Sequence, residues 1–296
     1  AFILASIGLI IGLALSLVFN KIVPRGFKVS DKNQSIISLA PNITQTLIFL
    51  NSHDKIAARS GFCGVFKQVK HLPSAGNNFN VKYEKILSLQ PTLIITQGKN
   101  PALKKFSIQH KIKYLNVNMD NVDTIFSGIL KIGKAVCKEK LAKRKVSMLK
   151  NKLNEISKLE RNGKRKKVLI ILNRREHSLS GIFTTGNKSF LSQAIRIAGG
   201  INVFNDMKIN YSSVSIETIL KRNPDVIIEL SVKSNLTKKR TADMKKQWSS
   251  YSFINAVKNK QIYFLKQSYI LIPGPGIIKT IRLFNKIFTG KYKAND

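Results

Sequence analysis

Acidic side chains are scarce in this chain: its 296 residues include 15 aspartates and glutamates against 51 lysines and arginines, a formal net charge of +36. Such a charge raises nucleic acid, an anionic membrane or an anionic ligand as partners. The lysines, however, occur in every segment, and no basic run is interleaved with the aromatic residues that a base-stacking surface needs. We therefore expect no nucleic-acid partner. A membrane-anchored, basic nucleic-acid-binding protein is the alternative from another functional class.

Residues that hold metals or carry out chemistry are equally sparse. The two cysteines, Cys63 and Cys137, are compatible with an oxidising compartment, but the sequence does not show whether they pair. The four histidines are His53, His71, His110 and His177. They show no paired ligand spacing, so we expect no metal site. No glycine-rich phosphate loop follows a strand and no nucleophile elbow is present, so we expect neither an enzyme nor a bound cofactor.

The first segment, residues 1–29, is apolar and then basic. Ala1–Phe19 carries no charge and is long enough to cross a bilayer as a helix. It is either a secretory signal or an uncleaved membrane anchor. Lys21, Arg25 and Lys28 follow directly, which the positive-inside rule disfavours for an exported C-terminal part. We nevertheless expect export, with membrane contact through this segment and a periplasmic or other extracytoplasmic location.

Strands and helices alternate from Ser35 onward. Short apolar runs such as "SIISLA", "KIAARS", "TLIIT" and "IKYLNV" are typical of strands, and helical patterns separate them. Pro41 and Asn42 break the first strand, and Asn80 is the expected N-cap of a helix that Pro91 ends. This alternation predicts an α/β lobe with a mostly parallel sheet over residues 30–120.

Residues 121–162 contain no proline and carry apolar residues near helical spacing. A break near Cys137–Lys140 divides them, and the second part, roughly twenty residues, would be about 30 Å long. We interpret it as a helical strut between lobes. The α/β pattern then restarts over residues 163–296, where a helix is expected to open near Asn187 and to close at Gly199-Gly200.

One stretch occurs twice. "YEKILSLQPTLIIT" begins at Tyr83 and "IETILKRNPDVIIE" begins at Ile216, without a gap between the aligned copies. Glu84 aligns with Glu217, 133 residues later (217 − 84). A carboxylate near a helix N-terminus is favourable there. In a chain this poor in acids, two equivalent glutamates also suggest a paired contact surface.

These motifs resemble those of the substrate-binding proteins of bacterial ABC importers for ferric siderophores, haem and vitamin B12. The resemblance covers residues 34–288. It rests on "IISLAPNITQTLIFL", "VKYEKILSLQPTLIIT", "FTTGNKSFLSQAIRIAGGINVF", "VSIETILKRNPDVIIEL" and a late "GPG". It implies two similar α/β lobes joined by one long rigid helix, with the ligand in a cleft between them. It also implies that Glu84 and Glu217 each dock on one subunit of a dimeric permease.

The cleft is expected at loops that follow strands, where open α/β sheets bind ligands. The candidates in the first lobe are Pro41, Asn42, Phe62, Asn78, Phe79, Gln97 and Gly98. Those in the second lobe are Arg174, Arg175, His177, Phe183 and Tyr269. The aromatic residues can stack on a bulky chelate, and the arginines can pair with carboxylates or catecholates.

Two positions depart from the family pattern. Haem binders of the family carry a tyrosine ligand directly after the glycine that corresponds to Gly76, and here Asn77 occupies that position, so the sequence disfavours haem as the ligand. Family members frequently carry an arginine where this chain has Gly276. The sequence thus predicts a monomeric binding protein that delivers a ferric siderophore or a cobalamin-type corrinoid to an ABC permease. A haem-binding protein or a non-transport sensor of the same fold is the alternative.

Overall fold

The computed structural model describes residues 34–159, 165–230 and 237–292. The apolar stretch Ala1–Phe19, which the sequence predicts to be a signal or an anchor, lies outside these ranges. Within them, no helix combines the length and the apolar character needed to cross a membrane.

Lobe 1 contains a four-stranded parallel sheet. Its strands are β1 (Ile36–Ser38), β2 (Ile56–Arg59), β3 (Leu93–Gln97) and β4 (Lys113–Val117). They lie in the order β2-β1-β3-β4. The helices of lobe 1 are α1 (Pro41–Phe49), α2 (Tyr83–Ser88) and α3 (Pro101–Gln109). Because every pair is parallel, the carboxyl ends of all four strands meet at one edge of the sheet.

Two helices link the lobes, α4 (Val122–Ala135) and α5 (Glu139–Leu159). The predicted break between them is confirmed, and Cys137 takes a positive φ of 59° there. Helix α5 has 21 residues, which corresponds to about 31 Å. Its apolar face, which includes Val146 and Leu153, is buried in the core.

Lobe 2 contains a larger, mixed sheet. Its strands are β5 (Lys166–Asn173), β6 (Ile182–Thr185), β7 (Gly200–Asn202), β8 (Tyr211–Val214), β9 (Val226–Leu230) and β10 (Ile262–Leu265). Their order is β10-β9-β5-β6-β8, with β7 beside β5. Strand β6 is antiparallel to β5 and β8, whereas β7 and β9 run parallel to β5 and β10 runs parallel to β9. The helices are α6 (Phe190–Ile197), α7 (Ile216–Arg222), α8 (Lys238–Ser249), α9 (Asn255–Lys258) and α10 (Ile277–Phe288).

The largest buried apolar cluster extends through both lobes, from Ile36 of β1 to Val168 of β5, and includes the inner faces of α4 and α5. Each lobe has a further cluster of its own on the other face of its sheet. The predicted fold class, two α/β lobes joined by a long helix, is confirmed. The residue limits predicted for the lobes stay a prediction.

The repeated stretch folds the same way in each lobe. Helix α2 with strand β3 has the same residue spacing as helix α7 with strand β9. Before the two prolines, Gln90 and Asn223 both adopt the left-handed conformation with φ of 44°. The similarity of the two units therefore extends to the backbone turn that ends each helix.

Two expected helix starts are corrected, whereas the first strand ends before Pro41, as predicted. Asn80 does not cap α2; its carbonyl accepts a hydrogen bond from the Asn77 N–H (2.9 Å) in the preceding turn. Helix α6 begins at Phe190, because the Ser189 hydroxyl rather than Asn187 accepts the bond from the Ser192 N–H (3.1 Å). Pro41 and the following residue are the first two residues of α1, a position where proline loses no helical hydrogen bond.

Candidate functional site

A chain of hydrogen-bonded amides lies at the carboxyl edge of the lobe 1 sheet. The Asn42 side chain donates to Gln97 Oε1 (2.8 Å), and Gln97 Nε2 donates to Asp120 Oδ1 (3.1 Å). Asn78 Nδ2 donates to the Gln97 carbonyl (3.0 Å), while Asn78 Oδ1 is buried without a partner among the described residues. The structure thus brings together three of the predicted residues, and one of them retains an unused acceptor.

The other lobe 1 candidates surround this network. Phe62 and Phe79 are 67% and 97% exposed, which is unusual for large apolar side chains in neighbouring strand-end loops. Gly98 has a φ of +76°, a conformation that favours glycine, and its N–H donates to the Val117 carbonyl (3.0 Å). Pro41 lies at the start of α1 and contributes backbone shape rather than a polar group.

In lobe 2, Phe183 of β6 stacks against Tyr211 of β8, with 6.1 Å between ring centroids. Burial raises the pKa of Tyr211 to about 12, and the negative charge of Asp120 contributes to the increase. Since Asp120 belongs to the amide network of lobe 1, the aromatic pair and that network face the same region between the lobes. Tyr269 lies half-buried in the turn Ser268–Leu271, and burial raises its pKa as well.

Arg174 does not lie free at the surface. Its side chain is 5% exposed, and Nε donates to Glu229 Oε1 at 2.6 Å. Its Nη1 donates to the Ser178 carbonyl (2.8 Å) and to Gln247 Oε1 (2.7 Å). Its Nη2 is buried without a partner among the described residues. By contrast, Arg175 is exposed.

A pocket of about 410 Å³, here called the lobe 2 pocket, opens above this ion pair. It is lined by residues 172–177, by residues 229–230 and by Arg240, Asp243, Met244 and Gln247 of α8. A second, polar pocket of about 660 Å³ lies between the lobes, where residues 118–121 meet the surroundings of α6. Of the predicted cleft candidates, Arg174, Arg175 and His177 line the lobe 2 pocket, and none is among the described residues that line the pocket between the lobes.

The sequence matches the family described as periplasmic binding protein over residues 36–269, well over half of the chain. The chain belongs to the periplasmic binding protein family.

Individual relatives fit this assignment. A vitamin B12-binding protein of Vibrio parahaemolyticus is 25% identical over 262 residues, covering 84% of this chain and 86% of the relative. A possible iron-binding periplasmic protein from Staphylococcus epidermidis is 27% identical, with a TM-score of 0.72 over 86% of this chain and 98% of that one. A heme-binding protein of Vibrio cholerae, 19% identical, shares the fold with a TM-score of 0.74 over 89% of this chain and 100% of that one. The resemblance to ABC-importer binding proteins is confirmed, and the relatives differ in ligand.

In this periplasmic binding protein, Glu84 and Glu217 occupy the first turns of α2 and α7, and both are exposed. Neither forms a salt bridge with another described residue. A hydrogen bond from Ser215 lowers the pKa of Glu217, so this carboxylate is ionised at neutral pH. Two exposed glutamates thus lie at equivalent positions of the repeated helices, and neither is in an ion pair among the described residues.

The described residues contain no group of three or more histidines, cysteines, aspartates or glutamates that could hold a metal ion. Both cysteines are free, Cys63 buried and Cys137 exposed. Burial raises the pKa of the Cys63 thiol, which accepts a hydrogen bond from Thr44 Oγ1 (3.1 Å).

Sequence reasoning missed three residues at the site: Asp120, Tyr211 and Glu229. Two of them carry a signal in the sequence, because each is an acid in an acid-poor chain at the end of an apolar strand. Tyr211 opens the short strand β8, whose next two residues are serines, and nothing in the sequence indicates that it lies near Asp120 of lobe 1.

Proposed function

We propose that this periplasmic binding protein captures a bulky metal chelate, a ferric siderophore or a cobalamin-type corrinoid, and delivers it to an ABC permease. The observation that carries the proposal is the set of exposed aromatic side chains at strand-end loops. Phe62 and Phe79 project from lobe 1, and Phe183 stacks with Tyr211 in lobe 2. Exposed aromatic rings in each lobe suit a large, rigid ligand bound between the lobes.

Polar groups beside these rings would orient the ligand. The amides of Asn42, Asn78 and Gln97 are held by one another, so their spare donors and acceptors are fixed in place. Arg175 supplies an exposed positive charge, whereas Arg174 is already paired. We therefore assign attraction of an anionic ligand to Arg175, and the remaining positive charge of the chain to its general surface.

Haem is the competing ligand, because heme-binding proteins share the fold. The local structure argues against it at one point. Asn77 Oδ1 accepts hydrogen bonds from the N–H groups of Phe79 (2.8 Å) and Asn80 (2.9 Å), so Asn77 is a turn residue. An amide engaged in this way offers no strong ligand to iron at the position where haem binders carry a tyrosine.

The relatives are binding proteins rather than enzymes. We assign contact with the permease during ligand delivery to Glu84 and Glu217. Exposed ion pairs add little affinity singly but set the register of an interface. One glutamate on each lobe suits a permease with two equivalent subunits. A sensor that shares the fold would bind the same ligand without this contact.

Titration of the purified protein with cyanocobalamin, ferrichrome, ferric enterobactin, hemin and zinc chloride tests the proposal. We expect one chelate to bind with micromolar or tighter affinity, read from the fluorescence of the chain's single tryptophan, Trp248. Phe62→Ala and Phe79→Ala should each weaken binding about tenfold. Phe253→Ala is the matched control, because Phe253 is 62% exposed and lies outside these loops. Tight binding of free zinc with no binding of any chelate would sink the proposal.

A further inference from the structure

Two glutamines, Gln45 of α1 and Gln193 of α6, each accept a hydrogen bond from a helix start outside their own lobe. The N–H of Gly276, the residue before α10 in lobe 2, donates to Gln45 Oε1 at 3.0 Å. The N–H of Val122, the first residue of the helix that leaves lobe 1, donates to Gln193 Oε1 at 2.7 Å. The first N–H groups of a helix have no acceptor within that helix. Each glutamine therefore supplies an acceptor to a helix start across the lobe boundary.

The two glutamines occupy equivalent positions, so the internal repeat extends to a second pair of helices. The sixth residue after each glutamine is left-handed, Asn51 with a φ of 53° and Gly199 with a φ of 94°. Both glutamines are half-buried, and the apolar residues at matching distances from them are fully buried. These residues are Ile43, Leu47 and Leu50 around Gln45, and Leu191, Ile195 and Ala198 around Gln193. The two contacts are therefore reciprocal between the lobes.

The loop before α10 fits closely around the amide of Gln45. A Cβ added at Gly274 would lie 2.6 Å from Gln45 Oε1, and one added at Gly276 would lie 2.8 Å from Gln45 Nε2. A Cβ at Gly274 would also lie 3.6 Å from the Cα of Asn42. Because both loop residues are glycines, the lobe 2 backbone can approach the first turns of α1 this closely.

Both contacts lie beside the ends of the lobe 1 amide network. Asn42 and Asp120 are the two ends of the hydrogen-bonded chain that runs through Gln97. Gln45 follows Asn42 by about one helical turn, and Val122 lies two residues after Asp120. The network is thus connected to lobe 2 near both of its ends.

We propose that Gln45 and Gln193 are positioning residues that together set the width of the cleft. The apolar cluster that extends through both lobes holds them together, but apolar contact has no preferred direction. Hydrogen bonds are directional, and two of them at separate points oppose a rotation that one alone would permit. They fix the amide network of lobe 1 relative to lobe 2. The consequence for ligand affinity rests on the proposed function, whereas the consequence for cleft width does not.

Replacement of each glutamine by methionine or by glutamate tests the two contacts. Methionine has nearly the shape of glutamine but lacks an oxygen acceptor, whereas glutamate keeps one. In the ¹⁵N-labelled full chain without ligand, Gln45→Met should speed amide exchange at Gly276 about tenfold, and Gln193→Met should do the same at Val122. Gln45→Glu and Gln193→Glu should leave these exchange rates nearly unchanged.

Cleft width is measured by pulsed electron paramagnetic resonance between spin labels on the two lobes. The labels are attached at Lys85→Cys of α2 and Lys221→Cys of α7, two exposed positions. A Cys137→Ser background removes the exposed native thiol, while Cys63 is buried.

The variant Gln45→Met/Gln193→Met should broaden the distribution of distances between the labels about twofold, more than the two single variants combined. Gln45→Glu/Gln193→Glu should keep the narrow distribution. Gln109→Met, at an exposed glutamine of α3, is the matched control and should change nothing. Melting temperatures are recorded for every variant, and the single variants carry the test should the double variant unfold.

An unchanged distance distribution in Gln45→Met/Gln193→Met, or equal broadening in Gln45→Glu/Gln193→Glu, overturns the inference. Whichever of cyanocobalamin, ferrichrome, ferric enterobactin or hemin binds the unchanged protein should bind Gln45→Met/Gln193→Met about tenfold more weakly, mainly through faster dissociation. Unchanged affinity would contradict the positioning role. If no chelate binds any form of the protein, the proposed function fails, while the distance measurement still decides this inference.

Discussion

The two copies of the helix–strand unit differ most at one position. Thr96 of β3 and Glu229 of β9 are equivalent in the repeat, and both side chains are buried. Thr96 Oγ1 lies 3.0 Å from Tyr114 Oη, a bond between neutral groups. Glu229 instead holds Arg174 in an ion pair. The same backbone thus supports a neutral strand end in lobe 1 and a charged one in lobe 2.

The repeat therefore explains why the two helix–strand units share one backbone fold. Single differences at the strand ends explain why one unit carries a buried charge and the other does not. A neutral hydrogen bond is easily satisfied within the sheet. A buried carboxylate must be desolvated, and only a matched cation with further hydrogen bonds offsets that cost. A pocket lies above the charged strand end, so the costly arrangement coincides with a candidate binding site.

Removing the carboxylate should have the largest effect. Glu229→Ala leaves the Arg174 guanidinium buried without its counter-charge, and we expect a loss of about 3–5 kcal/mol in the free energy of unfolding. Thr96→Ala, the equivalent change in lobe 1, should cost only about 1 kcal/mol. Urea unfolding of both variants measures the contrast. Equal losses would show that the ion pair is no more important than the neutral bond.

The second comparison concerns the two docking glutamates, which should behave alike. Glu84→Ala and Glu217→Ala should each lower uptake through the permease several-fold, and the double variant should lower it further. Replacement of either glutamate by lysine should lower uptake more than replacement by alanine, because the introduced positive charge repels a positively charged partner. Melting temperature and ligand affinity should stay near those of the unchanged protein. Glu155→Ala, an exposed glutamate of α5, is the control. If stability falls first and uptake only follows it, the glutamates are helix-end charges.

Local features of the fold were predictable, and features that depend on sheet order were not. Apolar runs predict β3 and β9, and the repeat predicts that they are equivalent. The pairing of Arg174 with Glu229, by contrast, joins residues distant in sequence and follows from β5 lying next to β9. For that reason the sequence predicts that Arg174 pairs with a ligand in the cleft, whereas in the structure it pairs with Glu229. Helix starts were misplaced where two polar residues compete for one cap, as with Asn187 and Ser189.

The carboxylate also gives lobe 2 a dependence on pH that lobe 1 lacks at this position. Burial raises the pKa of Glu229 above its ordinary value of 4.5, although Arg174 opposes the shift. A raised pKa in the folded state means that the stability from this group is complete below pH 4.5 and is lost as the pH rises through the folded value. Glu229→Gln keeps an acceptor for Arg174 but does not titrate. The difference in unfolding free energy between this variant and the unchanged protein should therefore shift in favour of glutamine as the pH increases, and a constant difference would contradict the assignment.

The smallest expected effect on stability concerns the two turns that end α2 and α7. Gln90 and Asn223 share a φ of 44°, a left-handed conformation that disfavours side chains with a Cβ, although asparagine tolerates it better than glutamine. Asn223 Oδ1 also accepts a hydrogen bond from the Asn255 N–H (2.8 Å), whereas Gln90 is exposed. Gln90→Gly should therefore stabilise the protein by about 0.5–1 kcal/mol, because it relieves the strain of the left-handed residue. Asn223→Gly should be neutral or destabilising, since the relief of strain is offset by the lost bond to the start of α9. Thermal unfolding of the two variants measures this difference. Ser88→Gly, in the last turn of α2, is the control and should destabilise the protein. Equal gains in stability from Gln90→Gly and Asn223→Gly would mean that the Asn223 side chain contributes nothing beyond its backbone conformation.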